Sequence, residues 1–252
     1  MAKLEIHQFI VGQDNYSVLV HDPDTRVTAS IDACDGGLIS RELAAKGWKL
    51  SHLLITHHHG DHVAGNLELK RATGCEIVGP AGESHKIPGI DRSVREGDTV
   101  AFGRHTFGVI ETPGHTLGHI AYHEPDAHVA FVGDTLFTMG CGRVIEGDYP
   151  MMWASLAKLA ALPPETLIYS GHNYTAANAR FALTIEPGNI ALQQRAREAA
   201  AGNAMVPARL EDELATNPFL RADNATIRRS LGLDGVPAWK VFGEIRERKN
   251  KA

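Results

Sequence analysis

The chain has 252 residues with a formal net charge of −5, and 43% of the residues are hydrophobic and 22% charged. This length fits one or two globular domains, and the balance excludes collagen-like, disordered and coiled-coil classes. No apolar run approaches the roughly 20 residues that span a bilayer, and the mild acidity argues against a nucleic-acid binder. Three separated cysteines and the lack of signal-peptide features predict a cytoplasmic protein without a disulfide framework.

Alternating apolar stretches and turn signals in the first 34 residues predict a meander of short strands. A helical pattern over residues 38–46 ends at Gly47, and a short buried strand over residues 53–55 stops at Thr56. Residues 61–71 are predicted to form one helix. Further strands are predicted over residues 76–78, 99–102, 106–111, 120–123, 129–132 and 167–169.

The composition changes after about Tyr174, where Ala, Leu, Arg and Glu become frequent and indicate helices. Before that point, strands alternate with helices, and no GxGxxG motif follows the first strand. This pattern predicts a layered α/β sandwich and not a doubly wound sheet. We therefore predict a main α/β domain over residues 1–173 and a smaller helical domain over residues 174–252.

Residues 56–62 read Thr-His-His-His-Gly-Asp-His, directly after a predicted buried strand. The segment should form a loop at the carboxyl edge of the sheet, which is a usual place for sites in layered α/β folds. His57 and His59 can point to the same side, and Asp61 and His62 begin the next helix. Four such polar side chains are costly together unless something satisfies them. The segment therefore predicts a metal site, with His58 facing away from it.

Three more potential ligands follow short strands, and each adjoins a glycine: His115, Asp134 and His172. All three should reach the same sheet edge as the 56–62 loop. A single tetrahedral zinc site uses three or four ligands, so seven predict two metals that share a bridging carboxylate. We predict one metal on His57, His59 and His115, a second on Asp61, His62 and His172, and Asp134 between them. Nitrogen and oxygen donors favour zinc, with iron or manganese as alternatives.

This set resembles the metallo-β-lactamase superfamily, whose pattern is HxHxDH with a downstream His, Asp and His. The resemblance implies an αβ/βα four-layer sandwich with a smaller helical C-terminal domain. Asp134 resembles the hydrolase branch, since the lactamases proper lack that residue. Five further segments are similar to glyoxalase II, the hydroxyacylglutathione hydrolase family: Asp134-Thr-Leu-Phe, Gly140-Cys-Gly-Arg with Glu146-Gly, Gly171-His-Asn-Tyr-Thr, Thr216-Asn-Pro-Phe-Leu-Arg and Arg246-Glu-Arg-Lys.

The resemblance implies hydrolysis of S-(R)-lactoylglutathione to glutathione and D-lactate, the second step of methylglyoxal detoxification. A hydroxide held between two metals is a nucleophile at neutral pH, because metal binding lowers the pKa of water to about 7. The catalytic carboxylates would be Asp61 and Asp134, and no Ser, Cys or Lys nucleophile is needed. Cys141, in a glycine-rich turn, is expected to be structural. By resemblance, the glutathione moiety is bound by Arg143, Tyr174, Arg246 and Lys249.

Some positions depart from the glyoxalase II pattern, namely Ile145 for an aromatic residue, Asn173 for Glu and Met139 for Gly. They leave the metal ligands intact but bear on which acylthiol is recognised. The alternatives are another acylthiol hydrolase, a mononuclear-iron persulfide dioxygenase of the same fold, or a metal-dependent binding module. We expect a monomer that acts on a small-molecule glutathione thioester, without nucleic-acid or membrane partners.

Overall fold

The computed structural model describes residues 3–252, which divide into two compact units. The first unit runs to Glu111 and resumes over Thr116–Gly133, and the second contains Thr112–His115 and Asp134–Ala252. Between residues 3 and 252, no helix is both long and apolar enough to cross a membrane. The domain boundary after residue 173 stays a prediction.

A six-stranded sheet with its strands in chain order forms the first part of unit one. The first three strands are antiparallel, which confirms the predicted meander, and the later ones pair in parallel. The strands are β1 (Glu5–Val11), β2 (Asn15–Asp22), β3 (Val27–Ile31), β4 (Leu50–Leu54), β5 (Glu76–Pro80) and β6 (Arg92–Val94).

The first helix, α1 (Gly36–Lys46), begins where the Asp35 side chain accepts a hydrogen bond from a backbone N–H, and it ends at Gly47 in the left-handed conformation. The prediction of one helix over residues 61–71 is wrong. The structure has two, α2 (Gly60–Val63) and α3 (Asn66–Thr73). Their break lies at Gly65, whose N–H donates to the Ala33 carbonyl at 2.7 Å, so a tertiary hydrogen bond replaces a helical one.

Helices α1 and α3 cover the sheet with an apolar core. Fully buried Ile39 and Leu69 from the helices join Leu53 and Ile77 from the strands in one cluster. Each such side chain contributes about 1.5–3 kcal/mol by leaving water. This core holds the carboxyl end of β4, and with it the start of the 56–62 loop.

Four antiparallel strands complete unit one, in the spatial order β10-β9-β8-β7. The hydroxyl of buried Tyr122, on β9, donates to the carbonyl of Ile55 at 3.1 Å. These strands therefore pack against the first sheet where β4 ends. They are β7 (Thr99–Phe102), β8 (His105–Glu111), β9 (Ile120–Glu124) and β10 (Val129–Gly133).

Unit two is mostly helical and confirms the helices predicted after residue 174. The structure confirms the strand predicted over residues 167–169, and it adds helices over residues 149–160 and 225–231 and three two-residue strands that the sequence patterns do not predict. The strands are β11 (Leu136–Phe137), β12 (Gly140–Cys141), β13 (Leu167–Ser170) and β14 (Ala208–Arg209). The helices are α4 (Tyr149–Ala160), α5 (Thr175–Ile185), α6 (Ile190–Ala200), α7 (Leu210–Thr216), α8 (Ala225–Leu231) and α9 (Ala238–Asn250).

Asp22 at the end of β2 ties two turns of unit one together. Burial alone would raise its pKa, but hydrogen bonds from the Thr25 hydroxyl and from the N–H groups of Arg104 and Asp24 outweigh burial and hold the pKa at about 2. The charged carboxylate thus stabilises the fold above its unfolded pKa of about 3.9, and the contribution is lost as the pH falls through 2.

We expect Asp22→Asn to lower the free energy of unfolding by about 2 kcal/mol near pH 7, because it removes a charged acceptor of several hydrogen bonds. The deficit should shrink at about pH 3, where the wild-type carboxylate begins to protonate. Urea denaturation of both proteins at the two pH values measures it. A deficit that stays constant with pH would contradict the role of the charge.

Candidate metal centre

The 56–62 loop of unit one is fixed at its start by a buried carboxylate. Asp32 follows β3 and accepts hydrogen bonds from the backbone N–H of Thr56 at 2.7 Å and from its hydroxyl at 2.9 Å. Its φ of 57° lies in the left-handed region, which costs energy for a residue other than glycine. The strained Asp32 therefore anchors the first residue of the loop.

His57 and His59 direct ring nitrogens toward one another. Nε2 of His57 lies 3.2 Å from Nδ1 of His59, while Nδ1 of His57 lies 3.0 Å from the Thr56 hydroxyl. Two ligands of a tetrahedral zinc with bonds of about 2.0–2.1 Å lie roughly 3.3 Å apart. The pair is thus spaced as two ligands of one ion. Buried His119 stacks on the His57 ring, with centroids 4.8 Å apart, and supports its orientation.

His62 and Asp61 lie together at the start of α2. Nδ1 of His62 is 2.8 Å from the second oxygen of Asp32, which turns Nε2 toward Oδ2 of Asp61 at 3.7 Å. A carboxylate behind a histidine sets its tautomer and orients the other nitrogen for a metal. The side-chain amide of Asn15 donates to the same Asp61 oxygen at 3.1 Å. Asp61 is half-exposed, so it remains accessible to solvent and ligands.

His58 contacts Glu83 and is grouped apart from the candidate ligands His57, His59 and His62, which agrees with the prediction that it faces away from the site. Its backbone N–H donates to Oε1 of Glu83 at 2.7 Å, and its Nδ1 lies 3.1 Å from the same oxygen. The other oxygen of Glu83 accepts from the N–H of Gly118 at 3.0 Å. Glu83 is only 2% exposed, so it holds the middle of the loop from within the protein.

In unit two, one oxygen of Asp134 lies between two imidazoles. Its Oδ2 is 3.4 Å from Nε2 of His115 and 3.3 Å from Nε2 of His172. Both distances match the ligand spacing around a tetrahedral zinc, roughly 3.3 Å. A single oxygen at that spacing from two histidines is the arrangement expected where the three side chains bind metal. All three side chains are buried, so they are costly in this position without a cation.

The chain around Arg143 positions His115. The Arg143 carbonyl accepts from Nδ1 of His115 at 2.8 Å, which leaves Nε2 facing Asp134. Gly142 is required there, because a Cβ atom would lie 1.8 Å from the Asp134 carbonyl oxygen. Cys141 is buried, and burial raises its pKa to about 11 although Arg246 acts in the opposite direction. The thiol is thus protonated at neutral pH, and the donor set for a metal consists of nitrogen and oxygen.

The four predicted substrate-binding residues all belong to unit two. The Tyr174 ring stacks on His172 with centroids 4.8 Å apart and planes within 6°. Arg246 is 4% exposed and donates to the Cys141 carbonyl at 2.9 Å, and Arg143 is exposed. Lys249 donates to the Ala177 carbonyl at 3.2 Å. Burial and the nearby positive charges of Arg246 and Arg180 lower the pKa of Lys249, so this end of α9 favours a bound anion.

The sequence patterns did not identify the residues that contact the candidate ligands and their loop. Asp32 carried a usable signal, because it follows a buried strand directly, as Asp134 does. Glu83 lies in a short 3-10 helix (Ala81–Lys86) with no distinguishing pattern. His119 is not among the predicted site residues, and its contact with His57 depends on a tertiary hydrogen bond from the Ile120 N–H to the Thr56 carbonyl at 3.0 Å.

Comparison with known proteins gives two family matches, which cover adjacent parts of the chain. Residues 31–172 match the metallo-β-lactamase superfamily, and residues 173–252 match the hydroxyacylglutathione hydrolase C-terminus. A relative named hydroxyacylglutathione hydrolase, from Methylococcus capsulatus, is 52% identical over 251 residues and covers 98% of each chain.

Solved structures with this fold include ETHE1 from Myxococcus xanthus, with a TM-score of 0.62, 28% identity, and coverage of 87% of this chain and 99% of that one. TTHA1623 in a di-iron-bound form matches with a TM-score of 0.58 and 28% identity, over 66% of this chain and 92% of that one. These matches and the elements above establish an α/β sandwich with a helical C-terminal region. They also support the binding of divalent metal by the His and Asp clusters.

We expect Asp32→Ala to weaken zinc binding by about 10- to 100-fold, because His62 loses the carboxylate that orients it. Competition with a chromophoric chelator measures the affinity. The control is Asp35→Ala, which removes a nearby carboxylate that caps α1 and does not touch a histidine in the structure. Equal zinc affinities for the two variants would show that Asp32 does not orient His62.

Proposed function

Since the chain belongs to the hydroxyacylglutathione hydrolase family within the metallo-β-lactamase superfamily, we propose that it hydrolyses S-(R)-lactoylglutathione to glutathione and D-lactate. The observation that carries the proposal is the match of the helical region, residues 173–252, to the C-terminal model of that family. A metal-binding loop alone is compatible with many reactions that proteins of this fold catalyse. A glutathione thioester also needs a binding site for the glutathione peptide, which we assign to the helical region.

We propose two divalent ions, with zinc favoured over iron or manganese. The first would be held by His57, His59 and His115, and the second by Asp61, His62 and His172, with Asp134 bridging. The spacing within each unit supports this assignment, and so does the di-iron form of a similar structure. Divalent ions bound there would lower the pKa of a water molecule to about 7 and polarise the thioester carbonyl.

The side chains of the protein orient the metal ligands and the attacking water, and Cys141 does not compete as a nucleophile. Of the two catalytic carboxylates, Asp61 would act mainly as a ligand and would also accept a hydrogen bond from the attacking water, whereas Asp134 would act as the shared ligand. Asn15 holds Asp61, and the Arg143 carbonyl keeps His115 turned toward Asp134. The protonated thiol of buried Cys141 takes no part. The leaving thiol has a pKa of about 8.5, so it departs as a thiolate without a strong general acid.

Glutathione carries two carboxylates and an amine, so its site needs cations. We propose that Arg143 and Tyr174 contact the cysteinyl-glycine part, and that Arg246 and Lys249 bind the glycine carboxylate. Burial and the positive charges of Arg246 and Arg180 lower the pKa of Lys249, which supports this role because a positive charge in such surroundings gains from a nearby anion. Arg246 is more deeply buried than Lys249, and it also donates a hydrogen bond to the Cys141 carbonyl.

The alternative of a mononuclear-iron persulfide dioxygenase is less well supported. Residues 173–252 match the C-terminus of hydroxyacylglutathione hydrolase, and a relative of that name aligns with 98% of this chain. We further propose a cytoplasmic monomer with no nucleic-acid partner. Three free cysteines among the described residues support a reducing compartment.

We expect the metal-replete protein to hydrolyse S-(R)-lactoylglutathione, and prolonged chelation to reduce turnover at least about 100-fold, with recovery on adding zinc. Loss of thioester absorbance measures the reaction, and metal analysis of the same sample gives the ions per chain. No turnover by metal-replete protein would refute the proposed function. One iron per chain with oxygen consumption on glutathione persulfide would favour the dioxygenase.

We expect Lys249→Ala to raise KM for lactoylglutathione about tenfold with little change in kcat, because a carboxylate contact remote from the reacting carbonyl is lost. Lys251→Ala, which removes the same charge two residues further along, is the control and should leave KM unchanged. Steady-state kinetics measures both. An equal rise in KM for the two variants would indicate a general effect of charge and contradict a specific contact.

A further inference from the structure

A short hairpin in unit two carries predicted site residues at both ends. It runs from Asp134 through β11 and β12 to Arg143, and it is closed near its base by a hydrogen bond from the Gly142 N–H to the Thr135 carbonyl at 3.2 Å. Asp134 is the proposed bridging ligand, and the Arg143 carbonyl orients His115. The direction of this hairpin therefore decides where both groups lie.

The tip of the hairpin is buried, and its backbone N–H and C=O groups cannot all form hydrogen bonds within the hairpin. The residues of β11 and β12 are buried, and so are Thr138 and Met139 between them. Met139 has a φ of 54°, in the left-handed region that favours glycine. Buried N–H and C=O groups need partners, and strands of two residues supply few. Side chains from elsewhere must therefore hold this turn.

Two residues around the end of α7 supply these partners. Glu213 is fully buried, and its Oε2 accepts from the Met139 N–H at 2.7 Å. The side-chain amide of buried Asn217 donates to the carbonyls of Phe137 at 3.1 Å and Gly140 at 2.9 Å, and to the same Glu213 oxygen at 2.9 Å. Three backbone groups of the turn thus depend on one Glu–Asn pair.

The pair is itself held in place. Arg195 on α6 donates to the other Glu213 oxygen at 2.7 Å, so the buried charge has an opposite partner. The Asn217 side-chain oxygen accepts from the Phe219 N–H at 3.0 Å, which leaves the amide directed at the hairpin. Neither Glu213 nor Asn217 was among the residues expected to serve the site.

We propose that Glu213 and Asn217 are positioning residues for the metal centre: they clamp the tip of the hairpin and so hold Asp134 and the Arg143 carbonyl at its base in register with His115. This inference rests on the proposed ligand roles of Asp134 and His115. It assigns a physical role to the Thr216-Asn-Pro-Phe-Leu-Arg segment, whose Asn contacts the hairpin and whose Arg does not. In this chain, Glu213 and Asn217 also hold Met139 in a left-handed backbone conformation, which glycine would adopt more easily.

The test compares Asn217→Ala with Arg221→Ala. Arg221 lies in the same segment and pairs with Glu186 at 2.8 Å, but it makes no hydrogen bond to the hairpin. Chelator competition on the folded, substrate-free proteins measures zinc affinity, and thermal denaturation of the metal-free forms measures stability. We expect Asn217→Ala to bind zinc about tenfold more weakly and Arg221→Ala to bind it as the wild type does, even where both lose stability.

The kinetic readout should agree. With saturating zinc, Asn217→Ala should lower kcat for lactoylglutathione several-fold, whereas Arg221→Ala should not. Wild-type zinc affinity and kcat in Asn217→Ala would overturn the proposal, and so would equal losses in both variants. If Asn217→Ala does not fold, Glu213→Gln, which keeps the shape and removes the charge, is judged by the same criteria. Wild-type protein that binds zinc but does not hydrolyse the thioester would refute the proposed function while leaving the zinc comparison valid.

Discussion

A histidine that serves as a metal ligand has to present one ring nitrogen, and something else must hold the other. This constraint shapes both units. In the first unit, Nδ1 of His62 is hydrogen-bonded to the Asp32 carboxylate, and Nδ1 of His57 is hydrogen-bonded to the Thr56 hydroxyl. In the second, a backbone carbonyl at Arg143 takes Nδ1 of His115. Without these partners the rings would rotate, and the close nitrogen and oxygen spacings would be lost.

Meeting that constraint introduces strain and buried charge, and the structure offsets both locally. Asp32 adopts a left-handed backbone, but three hydrogen bonds converge on its carboxylate. Glu213 is buried as a charge, but Arg195, Asn217 and the Met139 N–H surround it. Unfavourable groups of this kind persist where surrounding contacts determine the conformation. Asp32 contacts the 56–62 loop, and Glu213 contacts the hairpin that we propose positions Asp134.

In the proposed function, the helical region would bind glutathione and would also support the hairpin of residues 134–143. Arg246 and Lys249 lie one turn apart on α9, and Arg246 also holds the Cys141 carbonyl of the hairpin that leads to Arg143. A substrate carboxylate bound there would therefore contact an element that is joined through the chain to Asp134.

The sequence by itself predicted the strands of the meander, most of the helices after residue 174 and the seven candidate ligands, because period, turn residues and ligand density are local properties. It failed over residues 61–71, where a hydrogen bond from Gly65 to Ala33 breaks the helix in two. It also failed to find Asp32, Glu83, Glu213 and Asn217. Those side chains matter through partners 24 to 80 residues away. Such contacts are decided only by tertiary structure, because no local pattern records which distant backbone group a buried carboxylate or amide will satisfy.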